Sequence, residues 1–178
     1  MKIYLVRHGE TAWNKQMIIQ GITDNPLNET GTKQAYDLKQ FFDNIDLDLV
    51  ISSSLDRARQ TAAIATSCEP DIIDDRFIER DFGSFEGAEV QKFLTRRDAG
   101  KPLDIEPDEQ VQARVMLGLN EYSQTAVDKV AIFAHSHVLK AALTIIEPDT
   151  YTFSSLIKNC AIVELEYADD QFSLVDIH

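Results

Sequence analysis

Short, continuous apolar segments alternate along the chain with longer segments in which apolar residues recur every three or four positions. The continuous segments are typical of buried β-strands and lie at residues 3–6, 49–51 and 130–134. The periodic segments predict amphipathic helices over residues 32–44, from near residue 55, and over residues 90–98, 108–125 and 138–146. Strands that alternate with helices in this way indicate an α/β fold.

Three further segments complete the predicted sheet. Residues 71–74 predict a short strand, while residues 160–167 and 172–177 alternate around a polar turn and predict a β-hairpin at one edge. Residues 130–134 form the most apolar strand, which we expect at the centre of the sheet. The sequence therefore predicts a single domain over residues 1–178, a three-layer α/β/α sandwich with a mostly parallel sheet.

The charge of the chain restricts its partners. The chain has 17 Lys and Arg residues against 30 Asp and Glu residues, which gives a formal net charge of −13 and a sequence pI near 4.6. Such an acidic chain offers no broad cationic face to nucleic acid or to an anionic membrane, and we expect neither as a partner. A phosphate site in this chain needs a few arginines collected from distant positions.

The expected location is the cytoplasm. Cys68 and Cys160 are far apart and form no C-x-x-C pair, which is typical of reduced thiols. The apolar segment near the start is interrupted at Arg7, so it does not resemble a signal peptide. No apolar segment has the length of a membrane span. The sequence leaves the oligomeric state open.

The end of the first strand carries residues suited to phosphoryl transfer. Arg7 offers a planar fork of donors that matches phosphate oxygens, and His8 can be neutral near pH 7 and act as a nucleophile. Gly9 allows a sharp turn and a close approach of the backbone to a ligand. Open α/β sheets bind their ligands at the carboxyl ends of the strands. We therefore expect a site there that transfers a phosphoryl group to an imidazole.

The ends of the other two long strands repeat this arrangement. Arg57 lies in the first turn of the helix after the second strand, where its charge opposes the helix dipole, so a phosphate ligand explains it better than helix stability. A serine among residues 52–54 is expected to cap that helix. His135 and Ser136 follow the third strand and precede a helix whose first N–H groups favour an anion.

Four segments together resemble the motifs of the histidine phosphatase superfamily, which includes the cofactor-dependent phosphoglycerate mutases. They are R-H-G-E-T-A-W-N at residues 7–14, the segment 53–62 around Arg57, E-R-D-F-G-S-F-E-G at residues 79–87, and the second histidine of the family at His135. Ser136 departs from the pattern, because the family more often has glycine there. The resemblance extends from residue 3 to about residue 143, and it implies a phosphoglycerate mutase-like sandwich.

The resemblance also implies roles for individual residues. His8 would take the phosphoryl group, and Glu79 would protonate the leaving oxygen. The residues implied to hold the phosphate oxygens are Arg7, Arg57, Asn14 and His135. Further residues implied to border the substrate pocket are Gln20 and Gly21, in a predicted loop, and Ser136. The substrate would be a small phosphorylated molecule, and no cofactor or metal is implied.

Three functions are compatible with these motifs. We favour a metal-independent phosphatase that acts on a phosphorylated metabolite, because residues 90–107 form only a short cover over the pocket. A mutase of the phosphoglycerate mutase type is the alternative. A mutase must hold its intermediate long enough for the product to reorient, and the short cover argues against that. A non-catalytic module that binds a phosphorylated ligand is the third. The presence of both His8 and Glu79 argues against it, because binding alone needs only the cationic groups.

Four charged or titratable residues near the motifs remain outside these roles. Arg96 and Arg97 either form a solvated helix face, which we favour, or contact a second anionic group of the substrate. His137 is expected to line the pocket or to cap the helix rather than to bind a metal, because no third ligand has suitable spacing. Glu86 is expected to hold the turn that follows it.

Overall fold

The computed structural model describes all residues, Met1–His178, and contains a six-stranded sheet between two layers of helices. The strands are β1 (Lys2–Arg7), β2 (Leu49–Ser52), β3 (Ile72–Ile73), β4 (Lys129–Ala134), β5 (Ile162–Ala168) and β6 (Gln171–Ile177). The helices are α1 (Ala12–Lys15), α2 (Glu29–Phe42), α3 (Asp56–Thr66), α4 (Val90–Asp98), α5 (Asp108–Ser123) and α6 (Ser136–Ile146). None of the helices has the length and apolar composition that a membrane crossing requires.

The sheet is mostly parallel, as predicted. Its strand order is β3-β2-β4-β1-β5-β6, in which the first four strands run parallel and the β5–β6 hairpin adds two antiparallel strands at one edge. The most apolar strand, β4, lies between β1 and β2. The register pairs Arg7 with Ala134 and Ser52 with Phe133. The carboxyl ends of these three strands therefore meet at one edge of the sheet.

Alternating side chains of the strands build two cores. Ile3 and Leu5 of β1 belong to a core formed with α5 and α6, whereas Tyr4 and Val6 belong to a second core formed with α2 and α3. Because helices cover both faces of the sheet, successive strand residues are all buried, which explains the continuous apolar segments in the sequence. This arrangement confirms the predicted three-layer sandwich.

A third, smaller cluster anchors α4. It consists of the buried residues Ile19, Phe82 and Phe85, against which Val90 and Phe93 of the helix pack. No residue of α4 is itself fully buried, so this helix lies on the surface of the protein.

The starts of two helices differ from the prediction. Helix α2 begins at Glu29 rather than at residue 32, because the Asn28 side chain accepts a backbone N–H of the first turn. Helix α3 is not capped by a serine, contrary to the prediction. Its N-cap is Leu55, which makes no side-chain cap, and the Asp24 carboxylate accepts the N–H of Asp56 instead, at 3.0 Å.

Candidate active site

His8 lies just beyond β1 and is only 2% exposed. Its Nδ1 is 2.6 Å from the carbonyl oxygen of Gly9. A carbonyl oxygen can only accept a hydrogen bond, so Nδ1 carries the proton and Nε2 keeps its lone pair. Burial lowers the pKa of His8 well below its usual value, and Arg57, His135 and Arg7 lower it further. The ring is therefore neutral at pH 7, with one nucleophilic nitrogen.

Two arginines lie close enough to His8 to act on its pKa. Arg57 is fully buried, and its Nη1 and Nη2 donate to the carbonyl oxygens of Thr23 at 2.9 Å and Gly21 at 2.7 Å. Arg7 donates through Nη1 to the Ile157 carbonyl. The Nε atom of each arginine has no hydrogen-bond partner within the chain. Burial lowers the pKa of Arg57 to about 10, so it stays charged at pH 7 and can offer a donor to an anion.

His135 is the N-cap of α6 and is fully buried. Its ring centroid lies 5.2 Å from that of His8. Its Nε2 is 2.6 Å from Oγ of Ser53, and its Nδ1 has no hydrogen-bond partner within the chain. Burial lowers the pKa of His135 well below its usual value, and the Arg57 guanidinium adds to this shift. Ser53 thus orients the ring of His135 while Nδ1 stays available to a ligand.

Glu79 is a buried carboxylate within the electrostatic reach of these groups. Its Oε1 accepts the backbone N–H of Arg80 at 2.9 Å and that of His137 at 3.1 Å. Nδ1 of His137 lies 3.5 Å from the same oxygen. Burial acts to raise the pKa of Glu79, but His137, His135 and the Arg80 N–H outweigh it, so the pKa lies well below its usual value. Glu79 is therefore ionised in the resting protein.

A polar network fixes the segment after His8. Asn14 lies in α1, and its Oδ1 accepts the N–H of Thr11 at 3.2 Å and Nδ2 of Asn159 at 3.3 Å. Because the oxygen is used in this way, the amide NH2 of Asn14 remains as a donor. Gln20 is buried, and its Oε1 accepts the Thr11 hydroxyl at 2.8 Å.

Gly21 and Glu86 shape the loop that holds Arg57. Gly21 has φ +55°, and a Cβ atom there would lie 1.9 Å from Oε1 of Glu86. The Glu86 carboxylate accepts the backbone N–H groups of Ile22 at 2.8 Å and Thr23 at 2.7 Å. Glu86 therefore holds the loop that contains Gly21, and not the turn that follows it in sequence, contrary to the prediction.

The remaining predicted residues fall into two groups. Ser136 is the first residue of α6 and lies next to His135, whereas Arg96 and Arg97 are exposed on α4. Arg96 donates to the carbonyl of a following loop residue at 3.0 Å, and Arg97 forms an ion pair with Asp98, in line with a solvated face. No three His, Cys, Asp or Glu side chains are grouped so that they could hold a metal ion.

Sequence reasoning missed three residues that support the site. Ser53 contacts His135, Asn159 donates from Nδ2 to the His8 carbonyl at 3.1 Å, and the Thr61 hydroxyl accepts the N–H that follows His8, at 3.0 Å. Ser53 and Thr61 lie inside the segment 53–62, which resembles a family motif, so the sequence did contain a signal for these two residues. Asn159 lies outside every motif and had no signal in the sequence.

The carboxyl edge of the sheet thus carries a candidate phosphoryl-transfer site, which contains a buried neutral histidine, two arginines, a second histidine and a carboxylate. The sequence profile of the histidine phosphatase superfamily (branch 1) matches residues 3–178. The chain belongs to this family.

Individual relatives carry both phosphatase and mutase names. The Bacillus subtilis (strain 168) protein named "Uncharacterized phosphatase PhoE" is 34% identical over 178 residues, which cover 98% of this chain and 92% of the relative. The Proteus mirabilis (strain HI4320) protein named "Probable phosphoglycerate mutase GpmB" is 33% identical over 183 residues, which cover 94% and 85% of the two chains. The crystal structure of phosphoglycerate mutase from Bacillus anthracis str. Sterne matches with a TM-score of 0.88 at 20% identity over 98% and 91%. This likeness confirms the phosphoglycerate mutase-like fold.

Proposed function

We propose that the protein is a phosphatase that hydrolyses a small phosphorylated metabolite through a phosphohistidine on His8. The observation that carries this proposal is the 2.6 Å contact between Nδ1 of His8 and the Gly9 carbonyl, which leaves Nε2 as the nucleophile. Burial and the arginines around the ring keep it neutral, and the arginines supply charge for a phosphate. A module that only binds phosphate has no need for a histidine fixed in one tautomer, so catalysis is the better explanation.

In the first half of the reaction, Nε2 of His8 attacks phosphorus, a P–N bond forms and the ester P–O bond breaks. Phosphoryl transfer needs positioning and charge stabilisation more than covalent chemistry. Donors for the three equatorial oxygens are the guanidinium groups of Arg7 and Arg57, Nδ1 of His135 and the amide of Asn14, with the backbone N–H of Ser136 beside them. These groups supply the charge that a metal ion supplies elsewhere, so the proposed reaction is metal-independent.

Glu79 gives its proton to the leaving oxygen, which departs with the electron pair of the broken bond. The carboxylate is ionised before substrate binds. A phosphate dianion beside it raises its pKa, because like charges repel, so Glu79 takes up one proton from solvent when the substrate binds. In the second half, water attacks the phosphohistidine, its proton passes to Glu79, and the P–N bond breaks. Inorganic phosphate leaves, Glu79 returns its proton to solvent, and His8 is neutral again.

Transfer of the phosphoglycerate mutase type is the second candidate, since similar proteins carry that name. We favour the phosphatase because the cover over the pocket is short, and its helix α4 has only nine residues and lies on the surface. With 3-phosphoglycerate supplied, inorganic phosphate should appear faster than the 2-isomer. Efficient isomerisation with little release of phosphate would reverse this preference.

Trapping of the intermediate tests the mechanism itself. Brief reaction with labelled substrate should give a phosphoprotein that survives base and is lost in acid, as a phosphorus–nitrogen bond is. The label should be absent from His8→Ala. Label that persists in this variant, with the same stability to base, would show that another residue is the nucleophile.

A further inference from the structure

A cavity of about 380 Å³ is lined in part by His137, whose backbone N–H donates to the candidate acid Glu79. Six of its ten lining residues are apolar, and three of these are the phenylalanines Phe82, Phe93 and Phe153. The volume lies near the low end of the roughly 300–1,000 Å³ typical of small-molecule sites. Aromatic walls of this kind favour an apolar, flat ligand of modest size.

His137 connects the cavity to the site of reaction. Its ring lines the cavity and stacks on Phe153, with an interplanar angle of 15° and 6.0 Å between the centroids. Its backbone N–H donates to Glu79 at 3.1 Å. Glu79 protonates the leaving oxygen in the proposed function, on which this step rests. A leaving group on the Glu79 side of the phosphate would therefore extend toward His137 and the cavity that its ring lines.

Two cationic side chains line this cavity, and that of Lys140 has no hydrogen-bond or salt-bridge partner. It lies one turn after the cavity-lining histidine, on the same face of α6, and it is partly buried. Its ammonium group makes no hydrogen bond or salt bridge within the chain. Burial lowers the pKa of Lys140, and although Glu79 raises it, Arg7, Arg80 and Arg97 lower it further. An anion in the cavity would relieve this concentration of positive charge.

The other cation of the cavity is already engaged. Arg97 donates to the Asp98 carboxylate at 2.9 Å, and its Nη1 lies 3.5 Å from the Ser154 hydroxyl. The cations that act most on His8 are Arg57 and Arg7. Lys140 is therefore placed for a second anionic group rather than for the phosphoryl group itself.

We propose that this cavity binds the leaving group of the substrate and that Lys140 pairs with a carboxylate on it. The substrate class is a small phosphate monoester whose organic part is apolar, best aromatic, and carries a carboxylate at the end far from phosphorus. The phosphate lies at His8, the ring lies among the three phenylalanines, and the carboxylate lies at Lys140.

Two matched probes test the carboxylate. They are the phosphate monoester of 3-(4-hydroxyphenyl)propanoate and that of its methyl ester, whose phenols are nearly equal as leaving groups because the substituent is remote. A charged hydrogen bond contributes about 1.5–3 kcal/mol, so the wild-type protein should prefer the acid by about tenfold or more in kcat/KM. In Lys140→Met this ratio should fall to about one. A general loss of rate in the variant affects both probes alike and therefore does not change this ratio.

Lys92→Met is the control, because Lys92 is an exposed lysine of α4 that does not line the cavity. It should keep the wild-type ratio. A wild-type protein without preference for the acid would overturn the proposal, and so would a Lys140→Met variant that keeps the full preference. The second outcome would mean that Lys140 serves Glu79 or the phosphate, which both probes share.

Binding of the product phenol separates this proposal from the proposed function. Calorimetry with 3-(4-hydroxyphenyl)propanoate needs no catalysis and uses the same three proteins. If neither ester is hydrolysed, the phosphatase proposal fails. The cavity proposal still stands if Lys140→Met weakens binding of the phenol about tenfold while Lys92→Met does not. Equal affinity in wild type and Lys140→Met, or no binding to either, would overturn it.

Discussion

Oγ of Ser53 lies 2.6 Å from Nε2 of His135, although 82 residues separate them in sequence. Both side chains are fully buried, so the hydroxyl has no competing contact with water. A hydroxyl can donate to a neutral ring nitrogen or accept from a protonated one. Ser53 therefore holds the ring of His135 in one orientation whichever protonation state the bound phosphate requires.

Ser53→Ala should lower kcat/KM for an alkyl phosphate by roughly three- to tenfold, because a hydrogen bond of this kind contributes about 1 kcal/mol. Ser52→Ala is the matched control. Ser52 is equally buried, but its hydroxyl donates to the carbonyl of its neighbour and not to His135. Steady-state kinetics and thermal unfolding of both variants measure the effect. Equal losses of rate in the two would show a general packing effect instead.

Ser53 also shows that the local sequence does not predict which polar group reaches the start of a helix. A serine before a helix is a favourable cap, and residues 52–54 offered three. The fold instead brings Ser53 to His135 and brings Asp24, 32 residues before Asp56, to the start of α3. Which polar group reaches a helix end depends on tertiary contacts that no local pattern contains.

The positions of the strand ends, in contrast, were predictable from the sequence. Continuous apolar segments mark the strands, and parallel strands place their carboxyl ends at the same edge of a sheet. Arg7 and His135 were each placed at the carboxyl end of a strand, and the register of β1 with β4 brings those ends together. Asn159 was not predictable in this way. It reaches the His8 carbonyl from 151 residues away, on a segment without a motif.

The stability of the protein should fall as the pH decreases from 7.5 to 5.5. Burial lowers the pKa of His8, His135 and His137 below the usual value, whereas the same residues in the unfolded chain titrate near 6.5. Below that pH the unfolded chain binds more protons than the native protein, so the free energy of unfolding decreases, by up to about 1.4 kcal/mol per pH unit for each histidine. This stability is fully present above pH 6.5.

Urea unfolding at several pH values measures this dependence. His135→Gln should show a shallower decline than the wild-type protein, because one histidine no longer takes up a proton on unfolding. The slope with pH is the quantity compared, so a general loss of stability in the variant does not matter. A wild-type stability that is flat from pH 7.5 to 5.5 would contradict the buried, neutral histidines.

Gly21→Ala should destabilise the protein and lower kcat/KM. The new methyl group would lie 1.9 Å from Oε1 of Glu86, and the carbonyl of Gly21 holds Arg57, so the loop and the arginine must both move. Gly100→Ala is the control, since Gly100 also has positive φ but nothing lies within 4 Å of the added carbon. It should cost only about 1 kcal/mol of stability and leave kcat/KM unchanged. Equal effects of the two variants would show that the contact with Glu86 is unimportant.

Hydrolysis should continue at full rate in excess chelator. The proposed site neutralises the phosphate with the charges of Arg7 and Arg57, and His135 adds a hydrogen-bond donor. Activity measured before and after dialysis against chelator checks this expectation. A large loss of rate that added magnesium or zinc restores would show that a metal takes part.

Glu79 is the candidate acid, and its role depends on how strongly the leaving oxygen needs a proton. An alkyl phosphate leaves as a strongly basic alkoxide, so Glu79→Gln should lower kcat/KM by roughly 10²–10⁴-fold. A nitrophenyl phosphate leaves as a stabilised phenolate, so the same change should cost far less. Glutamine keeps the acceptor oxygen for the N–H groups of Arg80 and His137, and the fold should be retained.

The comparison must use kcat/KM, which reports the steps up to phosphorylation of His8. The kcat value can instead report hydrolysis of the phosphohistidine, in which Glu79 acts as a base for both substrates alike. His137→Phe is a second measurement, because it removes the ring nitrogen 3.5 Å from the Glu79 carboxylate and keeps the backbone N–H. Loss of that neighbour should raise the pKa of Glu79 and move the alkaline limb of the kcat/KM profile, where the acid loses its proton, to higher pH. Equal losses for the two leaving groups in Glu79→Gln, with an unshifted profile in His137→Phe, would leave Glu79 as a structural residue and place the acid elsewhere.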